Sequence, residues 1–265
     1  RSFHVTGVQT CALPIWIVLH KVKDIYKMLD EISPFELQEK WDNSGLIVGN
    51  MEDEIDEIYL SLDLDEQLLN EIPNNSLVIT HHPLIFSPLK TVNFNSYSTK
   101  LLQILIKKDI CLISMHTNID KTHLNKYVCE SVLNLTISSQ DDFICYSDID
   151  TTFDDFQKTI SKKLNLQNPK LVQCSQSIKK IAITTGSGMS LINKIDADCF
   201  LTGDIKYHDA MEAKSRGISL IDIGHYESEQ HFTSLLIGLL PKNLENQRLQ
   251  AIITTSKNPF ITSGE

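Results

Sequence analysis

The sequence predicts an α/β fold built from two domains, with mainly parallel or mixed sheets flanked by helices. Two observations lead to this prediction. Short apolar runs that resemble buried strands alternate with segments of helical spacing along most of the chain. The length of 265 residues and the apolar content of 42% also suffice for two compact lobes with substantial cores.

The first helix is predicted by apolar residues at helical spacing, and Pro34 is expected to end it. These residues are Val22, Ile25, Met28, Leu29 and Ile32. Beyond a turn-rich stretch, strands are predicted at 58–64, 77–80 and 110–117, with helices at 65–72 and 99–108 between them. Strands alternating with helices favour a mainly parallel sheet covered on both faces.

A second alternation follows a stretch of low apolar density. Helices are predicted at 155–164, 189–195 and 208–214, and strands at 170–174, 179–188, 198–203 and 219–224. A last helix is predicted from His225 to Leu240, before Pro241, with a final strand at 249–255. We expect 17–126 and 225–265 to form the first lobe and 127–224 the second.

Residues 1–16, RSFHVTGVQTCALPIW, match none of these patterns. They show neither the apolar region of a signal peptide nor a clear periodicity. We expect a non-native tail, or alternatively a disordered native one, and leave these residues out of the fold prediction.

Composition narrows the classes of partner and compartment. The formal net charge of −10 disfavours nucleic acid and anionic membranes as partners. No apolar run approaches the roughly 20 residues of a membrane-spanning helix. Six cysteines without a CxxC motif indicate reduced thiols and a cytoplasmic protein. Four of them are predicted to be core thiols: Cys111, Cys129, Cys174 and Cys199.

Polar residues gather where three predicted strands end, in the motifs THHP, HTNID and GHYESE. In open α/β sheets, ligands bind in the crevice at these strand ends. Imidazole nitrogens and carboxylate oxygens suit divalent zinc, iron, manganese or nickel. The potential ligands are His81 and His82, His116 and Asp120, and His225 and Glu229.

The spacing of these residues favours two ions over one. His225 and Glu229 are four apart at a predicted helix start, so they project from one face. His81 and His82 are adjacent, and adjacent side chains in extended backbone point to opposite sides. Each motif alone is more often structural or solvent-exposed. Their joint placement at strand ends favours metal binding.

The motifs EKWDNSGLIVG, THHPLIF, HTNID, LTGDIKYHDAMEA and IDIGHYESE resemble those of the NIF3-like family, GTP cyclohydrolase 1 type 2 homologues, in its short two-domain form. The resemblance implies a dinuclear metal site in the cleft between two α/β domains, and a toroidal homohexamer. The implied metal ligands are His81, His82, Asp120, His225 and Glu229. Glu229 would bridge the two ions. The chain departs from the family pattern after Asp120, where KTHLNKY affects the predicted cleft near His123.

Several other side chains have two interpretations. His116 could orient a metal ligand or serve a turn or cap. Asp204 and His208 could transfer protons, although structural hydrogen bonds are the favoured interpretation. Lys90 could meet a phosphate or be solvated.

Two loops are predicted to be structural. The loop TTGSGMS (184–190) could bind an anion, but a tight turn is the favoured interpretation. Trp41, Asp42 and Asn43 are expected to pack and cap the first loop.

The resulting hypothesis is a metal-dependent hydrolase of the GTP cyclohydrolase type. Two ions would activate a bridging water against a small-molecule substrate such as a nucleotide. The alternative is a non-catalytic metal carrier or a regulatory interaction protein with the same ligands.

Overall fold

The computed structural model describes residues 20–240, 250–254 and 256–260. The predicted tail at 1–16 lies outside the described residues. Within them the fold is mixed α/β, as predicted, with a five-stranded sheet, a six-stranded sheet and a short ribbon of β1 (His20–Lys21) and β3 (Glu54–Ile55).

The first sheet is mostly parallel. Its strands are β2 (Gly45–Val48), β4 (Glu57–Ser61), β5 (Leu77–Thr80), β6 (Cys111–Ser114) and β13 (Gln250–Ile253). Their order is β13-β4-β5-β6-β2, and only the β2–β6 pair is antiparallel. The four residues of β5 and the four of β6 are all buried, which explains why they appear in the sequence as continuous apolar runs.

The second sheet is mixed. Its strands are β7 (Ser139–Asp141), β8 (Ile144–Thr152), β9 (Leu171–Val172), β10 (Ser177–Ile183), β11 (Cys199–Thr202) and β12 (Ser219–Asp222). Their order is β7-β8-β10-β11-β12-β9, with β10, β11 and β12 parallel to one another. The remaining pairs are antiparallel. Because β13 joins the first sheet, the described chain returns there after completing the second. The boundaries of the two predicted lobes stay a prediction.

The helices cover these sheets. They are α1 (Val22–Ile32), α2 (Glu66–Glu71), α3 (Tyr97–Lys107), α4 (Thr117–Ile119), α5 (Asn125–Tyr127), α6 (Phe153–Lys163), α7 (Tyr207–Ser215), α8 (His225–Glu229) and α9 (Phe232–Leu239). Short 3₁₀ helices span Phe35–Leu37 and Met189–Lys194. None of the helices in the described ranges is long and apolar enough to cross a membrane.

One helical stretch was not among the predicted elements. From Thr117 to Val132 the chain passes through α4, a π-helical segment at Asp120–Leu124, α5 and a second π-helical segment at Val128–Val132. The wide turns and the buried polar residues Asn118 and Asn125 interrupt the apolar spacing of an ordinary helix. This stretch carries Asp120.

Three predictions need correction. The predicted helix from His225 to Leu240 is two helices, α8 and α9, separated by a turn at Gln230 and His231, where ψ is −18° and −9°. The helix predicted at 189–195 is a 3₁₀ helix. Cys174 is exposed rather than a core thiol, because it lies just beyond the edge strand β9, which ends at Val172.

The two sheets share one apolar core. The first sheet contributes Ile58, Leu60 and Ile113, the second contributes Ile181, Leu201 and Ile221, and the stretch at 117–132 contributes Ile119, Leu124 and Val128. This common core holds the carboxyl ends of β5, β6 and β12 near one another. The polar residues that follow those strands therefore meet.

Candidate metal centre

Glu229 lies at the middle of the cluster formed by the five predicted ligands. Its Oε2 is 2.9 Å from His82 Nε2 and 2.9 Å from His225 Nε2. Its Oε1 is 3.7 Å from His81 Nε2, which in turn is 3.6 Å from Asp120 Oδ1. The two oxygens of one carboxylate thus face two different sets of potential ligand atoms.

His81 is fully buried and its ring is fixed from one side. Its Nδ1 lies 2.9 Å from the carbonyl oxygen of Met115, which can only accept a hydrogen bond. The proton is therefore on Nδ1, and Nε2 offers a lone pair. Burial lowers the pKa of His81 to about 4, which keeps the ring neutral.

Two atoms of this cluster are buried without a hydrogen-bond partner, His81 Nε2 and Asp120 Oδ1. A neutral imidazole nitrogen and an ionised carboxylate oxygen are both acceptors, and these two atoms face each other across 3.6 Å. Leaving buried acceptors unpaired costs about 1–3 kcal/mol each. A cation between them would satisfy both, so the residues fit a bound metal.

His82 and His225 are each oriented by a carboxylate. His82 Nδ1 lies 2.7 Å from Asp63 Oδ1, and His225 Nδ1 lies 2.7 Å from Asp204 Oδ2. A carboxylate on the far nitrogen is the usual support of a metal-bound imidazole, because it fixes the ring and its tautomer. Asp204 thus makes the structural hydrogen bond that the sequence favoured. Asp63 was missed, although it too follows a strand end.

Burial and close contacts within the cluster strongly shift the pKa values of its members. Burial alone would lower the pKa of His82, but hydrogen bonds to Asp63 and Glu229 raise it to about 10. The hydrogen bond to Glu229 raises the pKa of His225 to about 9. Burial, and then the charge of Glu229, hold the pKa of Asp120 well above its usual range. In the metal-free chain the imidazolium protons offset the charge of Glu229.

His116 lies beside the ligands as a fourth imidazole. Its ring centroid is 5.1 Å from that of His81 and 5.6 Å from that of His82. Its Nδ1 is 2.7 Å from Asp42 Oδ1, and the other oxygen of Asp42 accepts from the backbone N–H of Thr117 at 3.0 Å. Asp42 therefore holds His116 and the start of α4 together, a role beyond the predicted capping.

Gly186 allows the chain to pass directly against Glu229. Its φ is +60°, and a Cβ there would lie 2.0 Å from Glu229 Oε1. Gly186 N–H donates to Ser228 Oγ at 3.0 Å, and Thr185 N–H donates to Asn125 Oδ1 at 2.7 Å. These two backbone amides of the loop at 184–190 are therefore already hydrogen-bonded within the protein, in agreement with the predicted tight turn.

A cavity of about 570 Å³ opens onto the cluster. Its lining includes His82, His116, Asp120, His225 and Glu229, together with Trp41, Phe86, Phe143 and Lys194. A cavity of this size can take a small molecule.

His208, Lys90 and His123 lie outside the cavity lining. His208 is exposed on α7, where its ring contacts Tyr207, and Lys90 is exposed as well. His123 bonds Thr122 Oγ1 through Nδ1 at 2.8 Å and does not line the cavity. Trp41 was expected to pack, and it is instead 58% exposed because it lies at the cavity wall.

Comparisons with known proteins identify the family of the chain. The family model of Duf34/NIF3 (NGG1p interacting factor 3) matches residues 20–259. A GTP cyclohydrolase 1 type 2 homolog of Campylobacter jejuni is 51% identical over 241 residues, covering 91% of this chain and 98% of that protein. A GTP cyclohydrolase 1 type 2 of Helicobacter pylori is 44% identical over 221 residues, covering 83% of this chain and 91% of that one.

A solved structure of a Staphylococcus aureus hypothetical protein has a similar fold. It superposes with a TM-score of 0.80 at 28% identity and covers 91% of this chain and 99% of its own. The family match spans nearly all the described residues, and both bacterial relatives align over most of their length. The chain belongs to the Duf34/NIF3 family.

Proposed function

We propose that this chain is a metal-dependent hydrolase that holds two divalent cations and acts on a small molecule in the manner of a GTP cyclohydrolase. One observation carries the proposal: the unpaired buried atoms His81 Nε2 and Asp120 Oδ1 point at each other beside Glu229 and a cavity of about 570 Å³.

Two of the three potential ligand sets among the described residues share Glu229, and the third consists of His81, His82 and His116. His81, Asp120 and Glu229 form one set, and His82, His225 and Glu229 form the other, with the potential ligand atoms of each set within 4.8 Å of one another. Nitrogen and oxygen donors of this kind accept zinc, iron, manganese or nickel. The shared carboxylate is the reason for proposing two ions rather than one.

The chain's own residues would organise the chemistry. When bound, two such cations would act as Lewis acids and lower the pKa of bound water to near neutral. Asp63 and Asp204 hold His82 and His225 by their Nδ1 atoms, so the Nε2 atoms stay aimed at Glu229. His116, fixed by Asp42, lines the cavity next to these rings.

A nucleotide substrate is supported by the relatives rather than by a guanine-reading motif. The Helicobacter pylori relative carries the name GTP cyclohydrolase 1 type 2. Metal-loaded protein should convert GTP to a ring-opened product, whereas the metal-stripped protein and Glu229→Ala should not. A panel of phosphoesters run beside GTP tests the breadth of the reaction. Stoichiometric metal without product from any of these substrates would overturn the hydrolase and support a metal carrier.

We further propose a toroidal homohexamer in the cytoplasm. The family resemblance supports the assembly, and the described cysteines, which are all free, support a reducing compartment. Light scattering on the purified chain should give six times the 30.1 kDa subunit mass. A monomeric mass at micromolar concentration would contradict the assembly.

A further inference from the structure

We propose that Trp41 and Phe86 form a stacking subsite for a planar heterocycle, so that the substrate is a small molecule carrying such a ring. This proposal rests on the proposed function, because it assigns one wall of the same cavity. The subsite would hold the ring while the rest of the ligand reaches the candidate metal centre.

Both rings are exposed although they are large and apolar. Trp41 is 58% exposed and Phe86 is 50% exposed, and both line the cavity. Their ring centroids are 5.7 Å apart at an interplanar angle of 50°. Two adjacent exposed aromatic faces inside a cavity provide the kind of surface on which a heterocycle stacks.

Hydrogen bonds fix the two loops that carry these rings. Asn43 Nδ2 donates to the carbonyl oxygen of Ile85 at 2.5 Å, which ties the loop of Trp41 to the loop of Phe86. Asp42, next to Trp41, bonds His116 Nδ1 at 2.7 Å. The aromatic wall is therefore positioned before any ligand arrives, which reduces the entropy lost on binding.

The ring of His116 lies between the aromatic wall of Trp41 and Phe86 and the candidate ligands. The centroid of His116 lies 6.3 Å from that of Trp41 and 6.1 Å from that of Phe86. On its other side the same ring lies 5.6 Å from His82. A substituent of a stacked ring, or a ring atom itself, can thus approach the cluster.

The rest of the cavity lining carries polar and charged side chains among apolar ones. Thr184, Ser187, Ser190 and Lys194 belong to it, together with Glu39 and Asp142, which both pair with Lys121. An apolar stacking wall, a polar lining and a cation-binding cluster in one cavity match a heterocycle joined to an anionic group. A nucleotide has this composition.

Equilibrium binding tests the subsite apart from catalysis. The chain has two tryptophans, so Trp16→Phe leaves Trp41 as the only fluorescent one. In this zinc-loaded background, GTP should quench the Trp41 emission within the first seconds of mixing, and inorganic tripolyphosphate should not. Absence of quenching by GTP would overturn the proposal.

Matched variants then separate stacking from packing. Phe86→Ala should weaken GTP binding roughly tenfold, since the base loses its stacking contact with the ring. Phe86→Tyr, which keeps a ring, should bind GTP like the parent. The affinity for tripolyphosphate should be the same in the parent, Phe86→Ala and Phe86→Tyr. Trp41→Ala, followed by calorimetry, should lose a similar factor. An unchanged GTP affinity in both alanine variants, or an equal loss for tripolyphosphate, would overturn the subsite.

The outcomes also distinguish this proposal from the hydrolase. GTP bound through Trp41 and Phe86 without product would retain the subsite and reject the hydrolase. Product formation at the parental rate and KM in both alanine variants would retain the hydrolase and reject the subsite. Metal content measured on each variant shows that the neighbouring cluster is intact.

Discussion

Glu229 is the residue that two of the potential ligand sets share. Its Oε1 faces His81 and its Oε2 faces His82 and His225. Asp120 belongs to one set alone. The two acidic residues therefore differ in what their loss should do.

We expect Glu229→Ala to lose both ions and Asp120→Ala to lose mainly one. Removing a shared carboxylate deprives both cations of a ligand, whereas Asp120 serves a single one. Metal analysis of the purified variants measures this difference. Glu227→Ala, on the same helix but outside both sets, is the control and should keep the parental metal content. Full occupancy in both test variants would contradict the assignment.

Gly186→Ala should displace Glu229 and strip metal. The new Cβ would lie 2.0 Å from Glu229 Oε1, and φ is +60°. Gly217→Ala is the matched control, because its φ is +74° but nothing lies within 4 Å of the added Cβ. Both variants should lose about 1–3 kcal/mol from backbone strain, yet only Gly186→Ala should lose metal. Equal metal content in the two would show that close approach is unimportant.

Metal affinity should rise with pH. The pKa of His82 is raised to about 10 and that of His225 to about 9, so both rings are protonated at pH 7 in the metal-free chain. A cation must displace these protons, and each one displaced contributes up to about tenfold in affinity per pH unit below its pKa. Chelator competition at pH 6.5, 7.5 and 8.5 measures the trend. Affinity that is flat or falls over this range would contradict these protonation states.

At the scale of elements, the irregular helical stretch at 117–132 links the sheets. Its Asn125 donates from Nδ2 to the carbonyl oxygen of Asp120 at 3.1 Å and accepts from Thr185 N–H at 2.7 Å. The same buried side chain thus holds the helix turn of Asp120 and the loop after β10.

Asn125→Ala should lower the free energy of unfolding by about 1–3 kcal/mol, because it removes the side-chain partner of the buried Thr185 N–H and one hydrogen bond to the Asp120 carbonyl oxygen. Urea denaturation of the metal-free protein measures this loss. Asn70→Ala, on the exposed side of α2, should change stability by no more than about 0.5 kcal/mol. A similar small change in Asn125→Ala would show that the link is unimportant.

Many of the regular elements were predictable because their patterns are local, although the long strand β8 (Ile144–Thr152), in the stretch of low apolar density, was not predicted. The run at 77–80 is fully buried and the apolar face of α1 has helical spacing. The stretch at 117–132 was missed because π-helical turns and buried polar residues break that spacing. The break between α8 and α9 at Gln230 was missed because no proline or glycine marks it in the sequence.

The clustering of the candidate ligands was predictable because they follow strand ends, in motifs that resemble those of the NIF3-like family. The residues that orient these ligands were not predictable. Asp63 resembles any turn aspartate after a strand, and only the fold brings it within 2.7 Å of His82, 19 residues away. The exposure of Trp41 likewise depends on a cavity that forms only when distant segments meet.

For the whole molecule, the cluster lies where the two sheets meet over a common core. His81 and His82 follow β5 of the first sheet, whereas His225 and Glu229 follow β12 of the second. Bound cations would therefore connect segments about 145 residues apart along the chain, and the fold that brings them together is shared with the Staphylococcus aureus structure. Whether those side chains hold two ions is the central question.

Anomalous diffraction from a crystal grown with excess zinc tests this most directly. We predict two peaks per chain, one bounded by His81, Asp120 and Glu229 and the other by His82, His225 and Glu229. A map with no peak among these side chains, or with a single one at full zinc occupancy, would contradict the dinuclear centre.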